Sequence, residues 1–293
     1  MARVCVVGSV NLDLTVDVAA LPRPGETVLA SSLTYAPGGK GGNQAVAAAR
    51  AGAHVEFVGA IGDDPAAERL RAHLQSNGVG LDGTVTVPGP SGTAIVVVDA
   101  RAENSIVVAP GANGQLSLRA ADLPAAIADC DVLLTQLEIP VTAAAVAARE
   151  AGSRGAVVMV NASPAGRDRS ALAELADAAD VVIANEAEAE EWPWRPTHLV
   201  TTLGARGARC VSADDEFWVP APTVQAVDTT GAGDVFAGVL AANWPRNPGS
   251  RAERLAALQR ACTAAALSTL VPGAGDCAPN AEAIAAALVR CAT

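Results

Sequence analysis

The spacing of apolar and polar residues changes character near residue 113. Before it, the run RVCVVGSV (3–10) reads as a buried strand reaching a polar loop at Gly8 and Ser9. LDLTVDVAALP (12–22) and TAIVVVDARAENSIVVAPGA (93–112) alternate apolar with polar residues, as half-buried antiparallel strands do, and the second predicts a hairpin turning at Ala102 to Asn104. Between them, GGNQAVAAARAGA (41–53) predicts a helix ending at Gly52. After residue 113, strands at 131–138, 156–163 and 180–190 alternate with helices, one of them at 140–152. The segments 197–211 and 223–243 continue the series. In the latter a strand TVQAV (223–227) precedes a glycine turn and a helix from about Ala232, and further helices are expected at about 251–270 and 280–291.

Repeating strand–helix units predict an α/β fold of three layers, α/β/α, with a mostly parallel central sheet. No linker, low-complexity segment or internal repeat divides residues 1–293, so a single domain is expected. In such folds functional loops lie at the carboxyl ends of the strands, and Gly8-Ser9, Gln136–Glu138, Asn161, Asn185–Glu188, Thr202–Gly207 and Asp228–Asp234 occupy such positions.

Composition narrows the classes. Apolar residues make up 51% and aromatic residues 3% of the chain, the apolar share being mostly Ala, Val and Leu, which suits helices packed on a buried sheet. No apolar run is long enough to cross a membrane and the first residues lack a signal-peptide layout, so no membrane partner and a cytoplasmic location are expected. The net charge of −11 argues against a nucleic-acid partner. Six scattered cysteines and three isolated histidines (His54, His73, His198) support neither a zinc site nor a Ser-His-Asp triad.

Three segments carry candidate chemistry. AVDTTGAGDVFAG (226–238) places two glycines and two carboxylates at a helix start. Backbone N–H groups there can hold an anion, and Asp234 can accept a proton from a hydroxyl. The alternative is a tight turn whose Asp234 only complements the helix dipole, and the stretch alone does not separate the two. PGGKGGNQAVAAARAGA (37–53) offers Lys40 and Asn43 as donors beside four glycines, or merely a capped helix. VNLDLTV (10–16) puts Asn11 and Asp13 on one strand face. Neither G-x-G-x-x-G nor a Walker A loop is present: Phe236 stands where the third glycine belongs, and Gly41 follows Lys40 where Ser or Thr is needed.

Together with LPRPGETV, GAIGDD, PGANG, LLTQLEIP, NEAEAE and TLGARG, these blocks resemble the PfkB family of carbohydrate kinases nearly end to end, and its ribose-phosphorylating branch most of all. The resemblance implies ATP-dependent phosphorylation of a sugar hydroxyl, with D-ribose to D-ribose 5-phosphate as the specific expectation and another sugar or a nucleoside as the alternative. Asp234 would be the base, and Gly231, Ala232 and Gly233 the anion hole. Asn11, Asp13, Gly39, Lys40, Asn43 and Glu138 would hold the sugar. Asn185, Thr202, Gly204 and Gly207 would face the nucleotide, Glu188 would help place Mg²⁺, and Asp228 and Thr230 would hold K⁺ with backbone of the loop at 271–277. Segments at about 11–35 and 93–109 would form a small β-sheet lid that also pairs two subunits. Two stretches depart from the family pattern. EWPWRPTHLV (191–200) is short and too rich in Trp and Pro for the helix that relatives commonly carry, and VPGAGDCAPN (271–280) matches the cation loop only in part. A catalytically silent binding protein is the rival reading, and it is disfavoured because Asp234 and both glycines are intact.

Overall fold

The computed structural model describes residues 1–293 except 102, 167, 247, 248, 292, 293 and the side chain of Cys291. The first half contains β1 (Arg3–Val7), β2 (Asn11–Asp17), β3 (Ser32–Gly38), α1 (Lys40–Arg50), β4 (His54–Ile61), α2 (Pro65–Ser76), β5 (Val79–Thr86), β6 (Gly92–Val98) and β7 (Asn104–Ala109). After it come α3 (Ala125–Asp129), β8 (Val132–Thr135), α4 (Val141–Ser153), β9 (Val157–Asn161), α5 (Arg169–Ala178), β10 (Val181–Asn185) and α6 (Glu186–Glu191). The chain closes with β11 (His198–Thr202), β12 (Ala208–Val211), β13 (Glu216–Val219), α7 (Ala232–Asn243), α8 (Arg251–Ser268) and α9 (Ala281–Cys291).

Nine strands form the large sheet in the order β13-β12-β11-β10-β9-β8-β1-β4-β5, parallel from β11 to β5 and antiparallel only at β12 and β13. Its central strands are apolar at nearly every position because both faces are covered. Alternate residues serve opposite cores: Val4, Val6, Val157 and Met159 pack with α1, α7 and α8, while Cys5, Val7, Val158 and Val160 pack with the alanine-rich α4 and with α5. This is the expected three-layer α/β/α arrangement. The second sheet runs β3-β2-β6-β7: β2, β6 and β7 arise from the two segments that alternate in sequence, and β3 (Ser32–Gly38) adds a strand beyond them. The expected hairpin is present, β6 and β7 pairing antiparallel from Thr93–Ala109 to Val98–Asn104, although Ala102 of its turn lies outside the described residues.

Two expected strands are corrected. Residues 223–227 form none: Val227 and Asp228 donate their N–H groups to the Thr269 carbonyl (2.7 and 3.0 Å), and Val227 stands 68% exposed. The strand expected over 180–190 stops at Asn185, which caps α6 instead. Residues 192–197 carry no helix, as their Trp and Pro content predicts; Trp192 and Trp194 pack edge to face there, 5.2 Å apart. No helix among the described residues is long and apolar enough to cross a membrane.

Candidate active site

The site forms where α1 and α7 cross above the carboxyl ends of the central strands. Small residues permit the close crossing: a Cβ on Gly238 would run into the Gln44 carbonyl oxygen and come within 2.8 Å of the Ala47 Cβ. The first turn of α1 therefore meets the first turn of α7. Asp234, buried, accepts from Asn43 Nδ2 on one carboxylate oxygen and from Gln44 Nε2 on the other, each at 3.0 Å. A carboxylate only accepts, so both amides must turn their NH₂ groups toward it. Gln44 Nε2 also reaches Asn161 Oδ1 (3.0 Å), and Gln44 Oε1 accepts from Gln136 Nε2 at 2.8 Å. The Asn161 amide donates onward to the Ile183 carbonyl (3.1 Å), so one buried chain of amides fixes the orientation of the carboxylate.

Beside Asp234 lie the residues read from the sequence as the sugar side. Asn11 and Asp13 share one face of β2. The Asn11 carbonyl accepts from Asn113 Nδ2 (2.7 Å), which leaves its NH₂ as the group it can offer. Asp13 is largely buried with one oxygen unpartnered, and burial first, then Glu138 and Asp234, push its pKa up to about 7. Glu138 accepts from the Ser9 hydroxyl (2.6 Å) and the Lys40 N–H (3.2 Å). Burial alone would lower the Lys40 pKa, but the carboxylates of Asp234, Glu138 and Glu188 outweigh it and hold the ammonium charged. Gly39, with φ 85°, lies where a Cβ would come 2.7 Å from the Asn11 nitrogen, so the loop can approach β2 only as glycine.

The glycine turn splits into two different requirements. Gly231 is left-handed (φ 79°) and packed on Ala274, so structure alone explains it. Gly233 is neither: no protein atom lies within 4 Å of where its Cβ would be, and its φ is ordinary. The first N–H groups of a helix lack intrahelical acceptors. Ala232 turns its own to the Thr229 carbonyl (3.3 Å) and Val235 to that of Gly231 (2.9 Å), leaving those of Gly233 and Asp234 at the pocket wall.

Two cavities meet at this turn. A polar one of about 170 Å³ is lined by Lys40, Asn161, Asn185, Glu188 and Asp234 among others. A mostly apolar one of about 400 Å³ extends along Gly204, Gly207, Val224, Phe236 and Ala266. Thr202 and Gly233 belong to both. Asn185 and Glu188 bind each other as a capping box: the Glu188 N–H reaches Asn185 Oδ1 (2.8 Å) and the Asn185 N–H reaches Glu188 Oε2 (2.9 Å).

Asp228 ties two loops: it accepts from the Thr230 N–H and the Gly273 N–H, both at 2.8 Å. Burial opposes its charge, but these bonds and the Thr230 hydroxyl outweigh it and lower its pKa. No group of three or more His, Cys, Asp or Glu among the described residues could hold a metal by itself. The donors fit the expected ions only in low-charge sets. Glu188 is a single carboxylate beside the polar cavity, which suits Mg²⁺ that keeps water and phosphate oxygens. Asp228, with three bonds accepted, keeps acceptor capacity for one further contact, which suits a monovalent cation of low charge demand.

The structure thus brings Asn11, Asp13, Gly39, Lys40, Asn43, Glu138 and Asp234 together, with Asn185, Glu188, Thr202, Gly204 and Gly207 lining or flanking the cavities and Asp228 and Thr230 just behind the turn. Sequence reasoning placed Ser9, Gln136 and Asn161 at functional strand ends without giving them a role, and it missed Gln44 and Asn113 as partners. Of these, Gln44 carries a usable signal: an uncharged polar residue that interrupts the apolar face of α1 next to Asn43.

The chain is similar to known proteins over most of its length. The model of the pfkB family of carbohydrate kinases matches residues 1–281. A ribokinase of Bacillus subtilis (strain 168) is 38% identical over 253 residues, which is 82% of this chain and 85% of that protein. A deoxyribokinase of Salmonella typhi is 31% identical over 300 residues, 95% of this chain and 96% of that one. Among solved structures, Arabidopsis thaliana ribokinase complexed with ribose and ATP superposes with a TM-score of 0.86 at 28% identity, covering 98% of each chain.

Proposed function

Because the chain belongs to the pfkB family of carbohydrate kinases, we propose that it transfers the terminal phosphoryl group of ATP to D-ribose, giving D-ribose 5-phosphate and ADP. The single observation that carries this reading is the junction at Gly233 and Asp234. An apolar cleft large enough for a nucleotide base and sugar opens there onto a polar pocket that contains an oriented carboxylate.

Ribose hydroxyls would donate to Asp13 and Glu138 and accept from Lys40 and the Asn11 and Asn43 amides. Asp234 takes the proton of the reacting hydroxyl while the oxygen attacks the γ-phosphorus; the new P–O bond forms as the bond to the β-phosphate oxygen breaks and ADP leaves. The amide pair of Asn43 and Gln44 holds the carboxylate in one orientation before sugar arrives, so little reorganisation is needed at the moment of transfer. Charge gathering on the transferred group is met by the free N–H groups of Gly233 and Asp234, at the positive end of α7, and by the Lys40 ammonium. Gly204, Gly207 and Thr202 line the nucleotide side.

Mg²⁺ would be held by Glu188, with Asn185 setting the carboxylate, together with phosphate oxygens, and it supplies neutralisation of phosphate charge. Asp228, Thr230 and backbone of the 271–277 loop would hold K⁺. The second sheet would act as a lid that excludes water, the competing acceptor. It would also be the dimer interface: every residue of β7 is exposed, and Leu33, Tyr35, Ile95, Ile106 and Val107 are large apolar side chains left in solvent. A location in the cytoplasm completes the reading.

ADP release measured over a panel of pentoses, hexoses and nucleosides, with and without potassium, tests it. D-Ribose should give the highest kcat/KM; no turnover of ribose at millimolar concentration rejects the substrate. The likeness to a deoxyribokinase makes 2-deoxyribose the second sugar to include.

A further inference from the structure

Helix α1 begins in the active site and ends far from it, and its last residue is tied to the loop that backs the phosphoryl turn. Ten residues of helix separate Lys40 from Arg50, about 15 Å of rise. The Arg50 guanidinium donates through Nη1 to the carbonyls of Asp276 (2.7 Å) and Ala278 (2.9 Å). Through Nη2 it reaches the Asp276 carboxylate (3.0 Å), and through Nε the Asn77 Oδ1 (2.8 Å). The Asp276 carboxylate is 66% exposed, so this ion pair contributes little by itself. The two carbonyl bonds matter more, because a rigid planar fork sets the path of the backbone it grips.

The loop so gripped touches the active site at two points. The Gly273 N–H donates to Asp228 Oδ2 at 2.8 Å. Ala274 lies so close to Gly231 that a Cβ there would come 2.8 Å from the Ala274 Cα. On its other side the loop abuts the second sheet: Gly275 has no room for a Cβ against the Pro37 carbonyl in β3. Displacing this loop would move the support of both Asp228 and the left-handed Gly231, the two residues that launch the turn into α7.

We propose that Arg50 is a positioning residue for phosphoryl transfer: by gripping the Asp276 and Ala278 carbonyls it fixes Gly273 and Ala274, and through them the turn that aims the N–H groups of Gly233 and Asp234. The role of that turn rests on the carbohydrate-kinase reading above. Arg50 touches no reactant, and it reaches the sugar-facing residues of β2 only indirectly, through Pro37 of β3, whereas Gly273 and Ala274 meet Asp228 and Gly231 directly.

The test compares wild type with Arg50→Ala, Arg50→Lys and Asn77→Ala, by amide hydrogen exchange, ribose binding calorimetry and steady-state kinetics. In Arg50→Ala, protection across residues 228–234 should fall at least about tenfold while that of β2 is unchanged. Its kcat should fall about 10- to 100-fold, with ribose affinity kept within about twofold, as expected when a remote change misplaces a catalytic group. Arg50→Lys, which keeps the charge and stem but loses the fork, should give a smaller change in the same direction. Asn77→Ala, which removes the bond from Arg50 Nε and the Asn77 bond to the His73 carbonyl but neither bond to the 276–278 carbonyls, should leave 228–234 as in wild type. Unchanged protection at 228–234 in both Arg50 variants, or an equal loss in β2, overturns the proposal. A wild-type protein that turns over no ribose removes the substrate assignment, while the exchange comparison still decides the role of Arg50.

Discussion

Gly233 has no structural reason to be glycine. Its backbone is unstrained and the space beside it is open, so the constraint has to come from what enters the pocket. Gly233→Ala is expected to leave thermal stability unchanged while lowering kcat/KM for ATP at least about tenfold, since a methyl group there blocks approach to the N–H donors. Gly231→Ala should differ by losing stability as well, because its φ of 79° and its contact with Ala274 both exclude a side chain. An active Gly233→Ala enzyme would remove the phosphoryl group from that position. Asp13 gives a second expectation. Its pKa of about 7 exceeds the ordinary 3.8, so the ligand-free folded state keeps a proton that the unfolded chain releases. The resulting stabilisation is complete below about pH 4 and is lost as pH rises through about 7. Denaturation of wild type against Asp13→Asn should therefore show wild type gaining relative stability from about pH 7.5 down to 5.5. A pH-independent difference would place the Asp13 carboxyl in water. Both residues stand out in sequence, as a glycine before a helical carboxylate and an acid among apolar neighbours. Gln136 and Asn161 stand out only as strand ends and Gln44 only as a polar break in the apolar face of α1, because three separate elements bring their side chains together.

At the scale of elements, the α1–α7 crossing orients the base. Gly238→Ala pushes a methyl group into the Gln44 carbonyl, and overpacking of this kind costs about 1–3 kcal/mol, readable by chemical denaturation. Activity should fall with it, because Gln44 is displaced from Asp234; full activity in a destabilised variant would separate the crossing from catalysis. Helices α1 and α7 were legible because glycine punctuation and apolar spacing are local signals. The false strand at 223–227 shows the limit of such signals. T-V-Q-A-V alternates as strands do, but the N–H groups of Val227 and Asp228 are taken by the Thr269 carbonyl just after α8, and the segment does not pair with the edge strand β13. The run at 180–190 misleads in a related way, since the Asn185 side chain ends β10 by capping α6 within a sequence that stays partly apolar.

For the whole molecule, the alternating segments near residues 11–17 and 93–109 announce a second sheet, yet alternation does not say what covers it. Its exposed apolar side chains lead to the expectation of a dimer in sedimentation experiments, and Val107→Asp on β7 should shift it to monomer. A wild-type monomer at micromolar concentration would leave that sheet without a partner subunit. The two sheets, the apolar cleft and the polar pocket converge on one carboxylate, and the most direct measurement addresses it. Calorimetry of ribose binding and single-turnover phosphoryl transfer should be compared for wild type and Asp234→Asn. Ribose should still bind within a few-fold while transfer falls by about 10²- to 10⁴-fold, the usual contribution of a positioned general base. Transfer at the wild-type rate in Asp234→Asn would contradict the assignment of Asp234 as the base.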